Sequence, residues 1–586
     1  MKSKKILSLC LAGALSVTAL CYPLSSSATV DYTYKIDEAL AEKLDSIGNN
    51  DTVDVSVWFS STEDENLVDF KNAKELTKVT ENSNAIDYSE MQHENENNIE
   101  NCIDELISKD TINAEQIEYV DDLLPTVDMT LTKNEIFDLI ANDEIASIYE
   151  TENVTFQTEE VDVNSVSSVT SVGIDDVNYG LYQKTGIYDV KQTNDGSGIK
   201  IGLVCDGVPD LSKNCFLNKD IHIVTNTDDE DECTSVNTIS QTATALAAQI
   251  VGEYDRFEGV APEATLYTLG TDSSEWRGNI DSFVEKTDVD VLLINYSTTS
   301  ETNNTYGQAS KWIDALINAT NITVVVPNNL NVGSGNDIGS GGLSYNAVVV
   351  GEFDTETSTV SQSSSYNAIT GLPYKPDLIA PNNTYIVYDD NNYVCLENAS
   401  SSAAMVCGAI ALLMDSMTYT QHIQNPALVK ALVLNGTTYL GVRNVKNSTA
   451  STVAFNDRSG AGVLNIKNSN IDYSNPLFGY GNITAGTETY CTEVSVDSGL
   501  RPVHVTVCTV KENYFGGSGK GISVDNDTYT IRVTRNGDNW TSVCTVDNKC
   551  SVVFNPTERG TYQVYVTSNL GKNFALVGSS LQEMSL

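Results

Sequence analysis

The sequence predicts an α/β protein whose central part is a parallel sheet with helices on both faces. Across residues 181–470, short apolar runs that resemble buried strands alternate with longer helical patterns. Strands that are buried on both faces of a parallel sheet have this near-continuous apolar character. At 586 residues the chain is also too long for a single core, so we expect further domains on either side of this part.

The elements of the central part follow from period and length. The predicted strands are 199–204, 265–269, 289–294, 322–326 and 347–350, and the predicted helices are 242–254, 306–320, 400–417 and 426–435. In open sheets of this kind, ligands bind at the carboxyl ends of the strands and at the helix starts that face them. We therefore look for functional residues at those positions.

The segments before and after the central part have different patterns. Residues 31–157 mix an alternating strand with helical segments and predict a small α/β domain. Residues 158–180 lack periodicity and predict a linker. Residues 475–586 lose helical periodicity and predict an antiparallel β-sandwich, in which the Asn-Gly pair at 536–537 marks a hairpin turn.

Two patterns in the N-terminal part predict helices. Thr132, followed three residues later by Glu135, predicts a capping box at the start of a helix over 133–141. Residues 64–108 are charged and rich in Asn and Glu, and they predict a long helical region.

The net charge and the N-terminal sequence exclude some kinds of partner and favour an exported protein. The net charge of −47 and the pI near 4.2 argue against nucleic acid or anionic lipid as a partner. Residues 1–28 have the lysines, the apolar run and the small-residue cleavage site of a signal peptide. No later run reaches the ~18 apolar residues of a membrane span. We expect a secreted, monomeric protein.

Export permits disulfides. The best candidates are four cysteines near the C-terminus, which allow three connectivities: Cys491, Cys508, Cys544 and Cys550. Cys205 and Cys407 lie in apolar runs and are expected to be buried thiols.

Five segments of the central part, in order, resemble the subtilisin-like serine peptidases (subtilases, peptidase S8 type). Residues 259–267 read GVAPEATLY and 375–381 read KPDLIAP, close to two signatures of that family. The other three segments are 199–208, 291–297 and 460–465. The resemblance implies a subtilisin-like fold, and it identifies 31–157 as a propeptide or inhibitor-like domain and 475–586 as the β-sandwich that many secreted members carry.

The resemblance assigns the catalytic positions. The family's serine motif overlays residues 398–404 and places the nucleophile at Ser400, with Gly408 at a glycine of the following helix. The alternative role for a serine at a helix start is an N-cap. The position of the family's aspartate holds Cys205, and the position of its histidine holds Thr242.

These substitutions remove the partners that a catalytic serine needs, because its hydroxyl is a poor nucleophile without an adjacent base. Asp206 lies one residue late, and on a strand that offset places its side chain on the opposite face. A related family uses a glutamate on the equivalent helix, but residues 242–252 contain no acid, histidine or lysine. Cys205 beside Asp206 is expected to be a structural thiol rather than a nucleophile.

The remaining site positions follow from the same overlay. Asn329 is the candidate for the oxyanion position, with Asn328 beside it, although Leu330 falls on that position without a gap. The candidate substrate-binding residues are Asn295, Tyr296 and Ser297. Residues 225–232 are acidic, and calcium binding and a solvated loop are the two alternatives for them. No other cofactor is predicted.

Three functions remain open. The first is a secreted pseudopeptidase that binds a peptide or protein ligand. The second is an active serine endopeptidase that uses Ser400 with an unusual base, for which His222 and His422 are the candidates. The third is a structural surface module whose β-sandwich makes the contact. On the first hypothesis, the N-terminal domain stays attached unless another protease cuts the linker at 158–180.

Overall fold

The computed structural model describes most of the chain outside its termini. The described residues are 35–36, 38–60, 99–121, 123–142, 144–151, 154–155, 178–225, 235–272, 275–295, 297–298, 306–328, 338, 340–367, 371–389, 392–417, 423–447, 455–470, 477–511, 513–514, 523–524, 527–571 and 573–580. The predicted signal peptide, most of the predicted linker and most of the predicted helical region at 64–108 lie outside them.

The N-terminal part folds around an antiparallel sheet with the strand order β2-β3-β1-β4. Its strands are β1 (Thr52–Phe59), β2 (Ile117–Val120), β3 (Thr126–Thr132) and β4 (Ile145–Glu150), and its helices are α1 (Glu38–Ser46), α2 (99–108) and α3 (Lys133–Ile140), with a 3₁₀ turn at Ala114–Gln116. The predicted capping box is confirmed: the Glu135 amide donates to Thr132 Oγ1, and the Thr132 amide donates to Glu135 Oε2.

The central part is a sheet with the strand order β15-β14-β13-β11-β6-β10-β7, to which β16 adds beside β14. The strands from β5 onward are β5 (Val154–Thr155), β6 (Lys200–Cys205), β7 (Ile221–Ile223), β8 (Glu253–Tyr254), β9 (Phe257–Glu258), β10 (Thr265–Gly270), β11 (Val291–Ile294), β12 (Ser297–Thr298), β13 (Thr323–Pro327), β14 (Val348–Asp354), β15 (Thr359–Val360), β16 (Leu378–Pro381), β17 (Asn383–Asp389) and β18 (Asn392–Glu397). All pairs in this sheet are parallel except β14 with β15.

Helices cover both faces of this sheet. They are α4 (Tyr179–Lys184), α5 (Ile187–Val190), α6 (Gln241–Val251), α7 (Trp276–Thr287), α8 (Gln308–Thr320), α9 (Ala399–Asp415) and α10 (Pro426–Gly436), and 3₁₀ turns lie at Asn214–Phe216, Ser340–Leu343 and Ile466–Asn468. Successive strand residues point to opposite faces, so Leu203 packs with α6 and α9 while Val204 packs with α7 and α8. The predicted fold class is confirmed.

Gly408 explains why two of the sequence landmarks meet. A Cβ at Gly408, in the middle of α9, would lie 2.7 Å from Val260 Cβ in the GVAPEATLY segment. Only glycine lets the helix approach that segment so closely. The two motifs are therefore two sides of one packing contact.

The N-terminal part docks on α7 and α8 through buried polar groups. Arg277 of α7 forms an ion pair with Asp128 and donates to Ser56, and Tyr119 donates to Asp281 Oδ2 at 2.7 Å. Helix α7 was not predicted. Its inward positions include these charged and polar residues, which interrupt the apolar period on which prediction depends.

A second polar contact lies in the same interface. The indole of Trp312, on α8, donates to Asp121 Oδ2 at 3.1 Å, and the amides of Leu123 and Leu124 donate to Asp121 Oδ1. Burial raises the pKa of Asp121 above its usual range. The carboxyl group is thus held in a dry interface that favours its protonated form.

The C-terminal part is a sandwich of two antiparallel sheets with the orders β19-β28-β21-β26 and β20-β27-β24-β25. The strands are β19 (Leu477–Asn482), β20 (Thr489–Val496), β21 (Val503–Cys508), β22 (Asn513–Tyr514), β23 (Ser523–Val524), β24 (Tyr529–Arg535), β25 (Asp538–Cys544), β26 (Lys549–Phe554), β27 (Gly560–Ser568) and β28 (Asn573–Ser580). The predicted turn joins β24 to β25, with positive φ at Asn536 and Gly537, as a type I′ hairpin requires.

The sandwich shares a core with the central part. Cys508, Ala575 and Val577 of the sandwich are buried in the same cluster as Leu428 and Leu432 of α10. Among the described residues, no helix is long and apolar enough to cross a membrane.

Three lysines and two aspartates are buried where the sandwich meets the central part. Asp377 Oδ2 lies 2.7 Å from Lys375 Nζ and 3.2 Å from Lys430 Nζ, and Asp377 Oδ1 lies 2.9 Å from Lys549 Nζ of the sandwich. Asp547 Oδ2 accepts from Lys549 at 2.6 Å. Burial alone would raise the pKa of Asp377, but the three ammonium groups hold it well below its usual range.

Candidate functional site

The carboxyl ends of β6 and β11 bring two of the predicted site residues together. Strand β6 ends at Cys205, and Asn295 directly follows β11, which pairs with β6 in parallel. Asn295 Nδ2 lies 3.7 Å from Cys205 Sγ, as a hydrogen bond to sulfur. Both side chains are buried, so Cys205 and Asn295 form the floor of the candidate site.

Cys205 behaves as a structural thiol. Burial, and then the charge of Asp206, raise the pKa of its thiol far above the usual range. A nucleophilic cysteine needs the opposite environment, with a neighbouring base or cation that favours the thiolate. The geometry thus favours the structural role that the sequence predicted.

Asp206 serves the start of α6. Ser240 Oγ donates to Asp206 Oδ1 at 2.6 Å, and the same serine accepts the amide of Ala243 as the N-cap of α6. Burial raises the pKa of Asp206. The carboxyl group therefore supports the loop that leads into the helix carrying Thr242.

Thr242 lies in the first turn of α6 and is buried. Two turns later, Gln249 joins α6 to α9: its Nε2 donates to the Ser401 carbonyl at 2.8 Å and its Oε1 accepts from Ser401 Oγ at 3.1 Å. Sequence reasoning missed Gln249. The sequence offered one signal for it, which is the single Gln side chain among the apolar residues at the end of this helix.

Ser400 lies inside the first turn of α9 and is 1% exposed. The alternative that Ser400 caps the helix is wrong, because the cap is Asn398, whose side chain accepts the Ser401 amide at 2.8 Å. Ser402 donates to the Ala380 carbonyl at 3.0 Å. In the part of the chain that the structure describes, no side chain forms a hydrogen bond with the Ser400 hydroxyl.

The candidate oxyanion residues are only partly described. Asn329 and Leu330 lie outside the described residues. Asn328 directly follows β13, and its Nδ2 donates to Ser364 Oγ at 3.1 Å and to the Ser365 carbonyl at 2.5 Å. Its amide donor group is therefore engaged within the fold.

The predicted substrate edge is occupied by the chain itself. Ser297 and Thr298 form β12, which pairs antiparallel with β5, so that Ser297 faces Thr155 and Thr298 faces Val154. The Val154 side chain is fully buried in the core with α7 and α8. Tyr296 lies outside the described residues.

The candidate replacement bases lie elsewhere or are not described. His222 is on the edge strand β7, where its Nε2 lies 3.0 Å from Asp220 Oδ1 and its ring stacks on Tyr267. His422 falls outside the described residues, as do residues 226–232 of the acidic segment. Within the described ranges, no group of three His, Cys, Asp or Glu side chains could hold a metal ion.

The sequence of this chain is similar to a known protein family over its central part. Residues 196–481 match the model of the Subtilase family, Peptidase_S8, and this match ends within β19. No curated protein matches the chain.

Two solved structures are similar to part of the chain. One is the PatG macrocyclase domain, with 16% identity over 49% of this chain and 95% of that one, and a TM-score of 0.38. The other is the Patellamide maturation protease PatA, with 19% identity over 48% of this chain and 98% of that one, and a TM-score of 0.37. The ordered motifs and the family model agree, and residues 196–481 of this chain form a domain of the subtilase family.

Proposed function

We propose that the protein is a secreted pseudopeptidase, whose subtilase domain has lost its peptide-cleaving chemistry and binds an extended peptide segment. The observation that carries the proposal is the surroundings of Ser400. Its hydroxyl is buried, and no described side chain is placed to take its proton. The positions assigned to the family's aspartate and histidine hold Cys205 and Thr242.

The chemistry of these groups supports the proposal. Activation of a serine requires a base within hydrogen-bond reach and a group that orients that base. Thr242 does not act as a base near neutral pH. Cys205 is a protonated thiol, and Asp206 is held by the Ser240 hydroxyl. Cys205 and Asp206 are engaged in structural contacts, and neither supplies the base that Ser400 needs.

The pairing of β5 with β12 supports the binding function. An unpaired strand edge binds extended peptides through backbone hydrogen bonds. Here Val154 and Thr155 occupy that edge, and they come from the same chain at a fixed, high local concentration. A free peptide must displace them, so binding is expected to be weak until this segment is released.

Activity is tested with purified protein beside a Ser400→Ala variant, on unstructured casein. We expect neither protein to cleave casein, and intact mass to show that the N-terminal part remains attached in both. Cleavage by the wild type that Ser400→Ala abolishes would show instead an active endopeptidase with an unusual base. That result would overturn the proposal.

Binding is tested with a labelled synthetic peptide of residues 150–160 and two variants. Val154→Asp places a charge at a fully buried position, which should release β5 and strengthen peptide binding. Thr151→Asp is the control, because Thr151 precedes β5 and is only half-buried. If the peptide binds neither Val154→Asp nor the wild type, the edge is not a binding site.

The secreted location rests on the signal-peptide pattern of residues 1–28. It is tested by expressing the chain with and without this segment and assaying the culture medium. If the protein expressed with residues 1–28 is absent from the culture medium, the secreted location is contradicted.

A further inference from the structure

Two cysteines lie at the ends of the connection between β25 and β26. Cys544 is the last residue of β25, and Cys550 is the second residue of β26. These strands belong to different sheets of the sandwich. The connection therefore crosses from one sheet to the other, and its two cysteines mark the crossing.

Tyr529 is a neighbour of both cysteines. It faces Cys544 in the antiparallel ladder of β24 and β25, and its carbonyl lies 3.9 Å from Cys550 Sγ. The neighbouring Cys550 thiol, together with burial, raises the pKa of the Cys544 thiol well above its usual range. Cys550 is buried in the sandwich core and Cys544 packs against that core, half-buried.

Of the other two C-terminal cysteines, Cys508 faces a different core. Cys508 is buried in the core shared with α10, whereas Cys491 is buried in the core between the two sheets. Strand β21 pairs with β26 so that Val507 faces Cys550. Because Cys508 is the next residue, its side chain points to the other face of the sheet and does not meet Cys550.

We infer that Cys544 and Cys550 form a disulfide that joins the two sheets of the β-sandwich, and that Cys491 and Cys508 remain thiols. The assignment chooses one pair from the three connectivities that the sequence allows. It is independent of peptidase activity.

The oxidant is a small-molecule disulfide, such as oxidised glutathione. The half-buried Cys544 loses its proton, and its thiolate attacks one sulfur of the oxidant, whose S–S bond breaks and releases one glutathione thiolate. The Cys550 thiolate then attacks Cys544 Sγ in the mixed disulfide and releases the second glutathione. Two electrons pass to the oxidant, and the two cysteine protons go to the solvent or to the released thiolates.

The experiment uses the full chain and a feature of its sequence. Trypsin cuts after Arg535, Lys549 and Arg559, so Cys544 and Cys550 fall in the separate peptides 536–549 and 550–559. Native protein is incubated with oxidised or reduced glutathione, alkylated with iodoacetamide under denaturing conditions, and digested. Mass spectrometry then measures whether the two peptides are joined.

After oxidation we expect the joined pair, two hydrogens lighter than the sum of its reduced peptides, with Cys491 and Cys508 alkylated. Reduction should separate the pair, and the oxidised protein should unfold at a higher temperature than the reduced protein. Cys544→Ser should leave Cys550 alkylated, whereas Cys102→Ser, in the N-terminal part, should leave the pair intact. Recovery of Cys544 and Cys550 both alkylated after oxidation, or of either joined to Cys508 or Cys491, would overturn the assignment.

Discussion

Lys549 belongs to the sandwich, and its ammonium group contacts the buried cluster of lysines and aspartates through Asp377 of the central part. Its side chain is fully buried, and its ammonium group contacts Asp377 Oδ1 at 2.9 Å, Asp547 Oδ2 at 2.6 Å and the Tyr374 carbonyl at 2.7 Å. Burial alone would lower the pKa of Lys549, but the two carboxylates raise it above its usual range. The perturbation is Lys549→Met, which keeps most of the length of the side chain and removes the charge.

The size of the effect follows from which groups are left unpaired. Asp377 keeps Lys375 and Lys430 as partners. Asp547 loses its ion-pair partner, and the hydrogen-bond donors that it keeps among the described residues are the amides of Tyr374 and Asn548. Removing one partner of a buried ion pair costs about 3–5 kcal/mol. At about 2 °C per kcal/mol, this lowers the unfolding temperature by roughly 6–10 °C.

Scanning calorimetry measures the change, and Lys446→Met is the matched control. Lys446 also pairs across the same junction, with Asp538 of β25, but its side chain is 46% exposed. An exposed pair contributes about 0–1 kcal/mol, so the control should shift the transition by at most about 2 °C. If the two variants unfold at the same temperature, burial of the cluster does not stabilise this junction and the reasoning is refuted.

Three further substitutions test the interfaces that hold the candidate site. Asp121→Asn should flatten the dependence of the free energy of unfolding on pH. Burial raises the pKa of Asp121 in the folded protein, so the stability that its protonated carboxyl group contributes is lost as pH rises above about 4. Urea titrations at several pH values measure this slope, and a slope equal to that of the wild type would contradict the prediction. Gly408→Ala should cost about 1–3 kcal/mol, because its Cβ would lie 2.7 Å from Val260 Cβ; an unchanged urea midpoint would show that α9 can shift. Gln249→Ala should cost about 1–3 kcal/mol, because it leaves the Ser401 carbonyl and hydroxyl without their amide partner; a loss no larger than that of the exposed Gln192→Ala control would contradict this.

Local patterns predicted most of the central elements. The predicted strand over 265–269 is β10, and the predicted helix over 426–435 is α10, each within a residue at either end. Both are mostly apolar, so their burial depends little on which neighbour they meet. The hairpin turn at Asn536 and Gly537 was predicted for a similar reason, since its positive φ angles are a local property of the residues.

Elements whose inward faces are polar escaped prediction. Helix α7 buries Arg277, Asn279 and Asp281, and the first and last of these meet groups of the N-terminal part, more than a hundred residues away in the sequence. Strand β28 was missed for a different reason. Its residues pair with β19 and β21, and these partners are brought beside it only when the sandwich is assembled.

The candidate site shows the same division. The overlay of family motifs placed Cys205, Thr242 and Ser400 at the catalytic positions, and residues 196–481 match the family model. The overlay did not indicate that Asn398 caps α9, that Gln249 joins α6 to α9, or that β5 pairs with the predicted substrate edge at β12. Each of these depends on contacts between segments that are distant in the sequence.

The sequence by itself pointed to the subtilase family, and it predicted the order of the domains and the residue types at the assigned catalytic positions, because these depend on residue type and local spacing. Only the tertiary structure decided which surfaces meet. It placed Lys549 of the sandwich against Asp377 of the central part, and it laid Val154 and Thr155 along the edge at Ser297. The physical reason is that a buried charge or an unpaired strand edge needs a partner, and the partner is chosen by the packing of the whole chain.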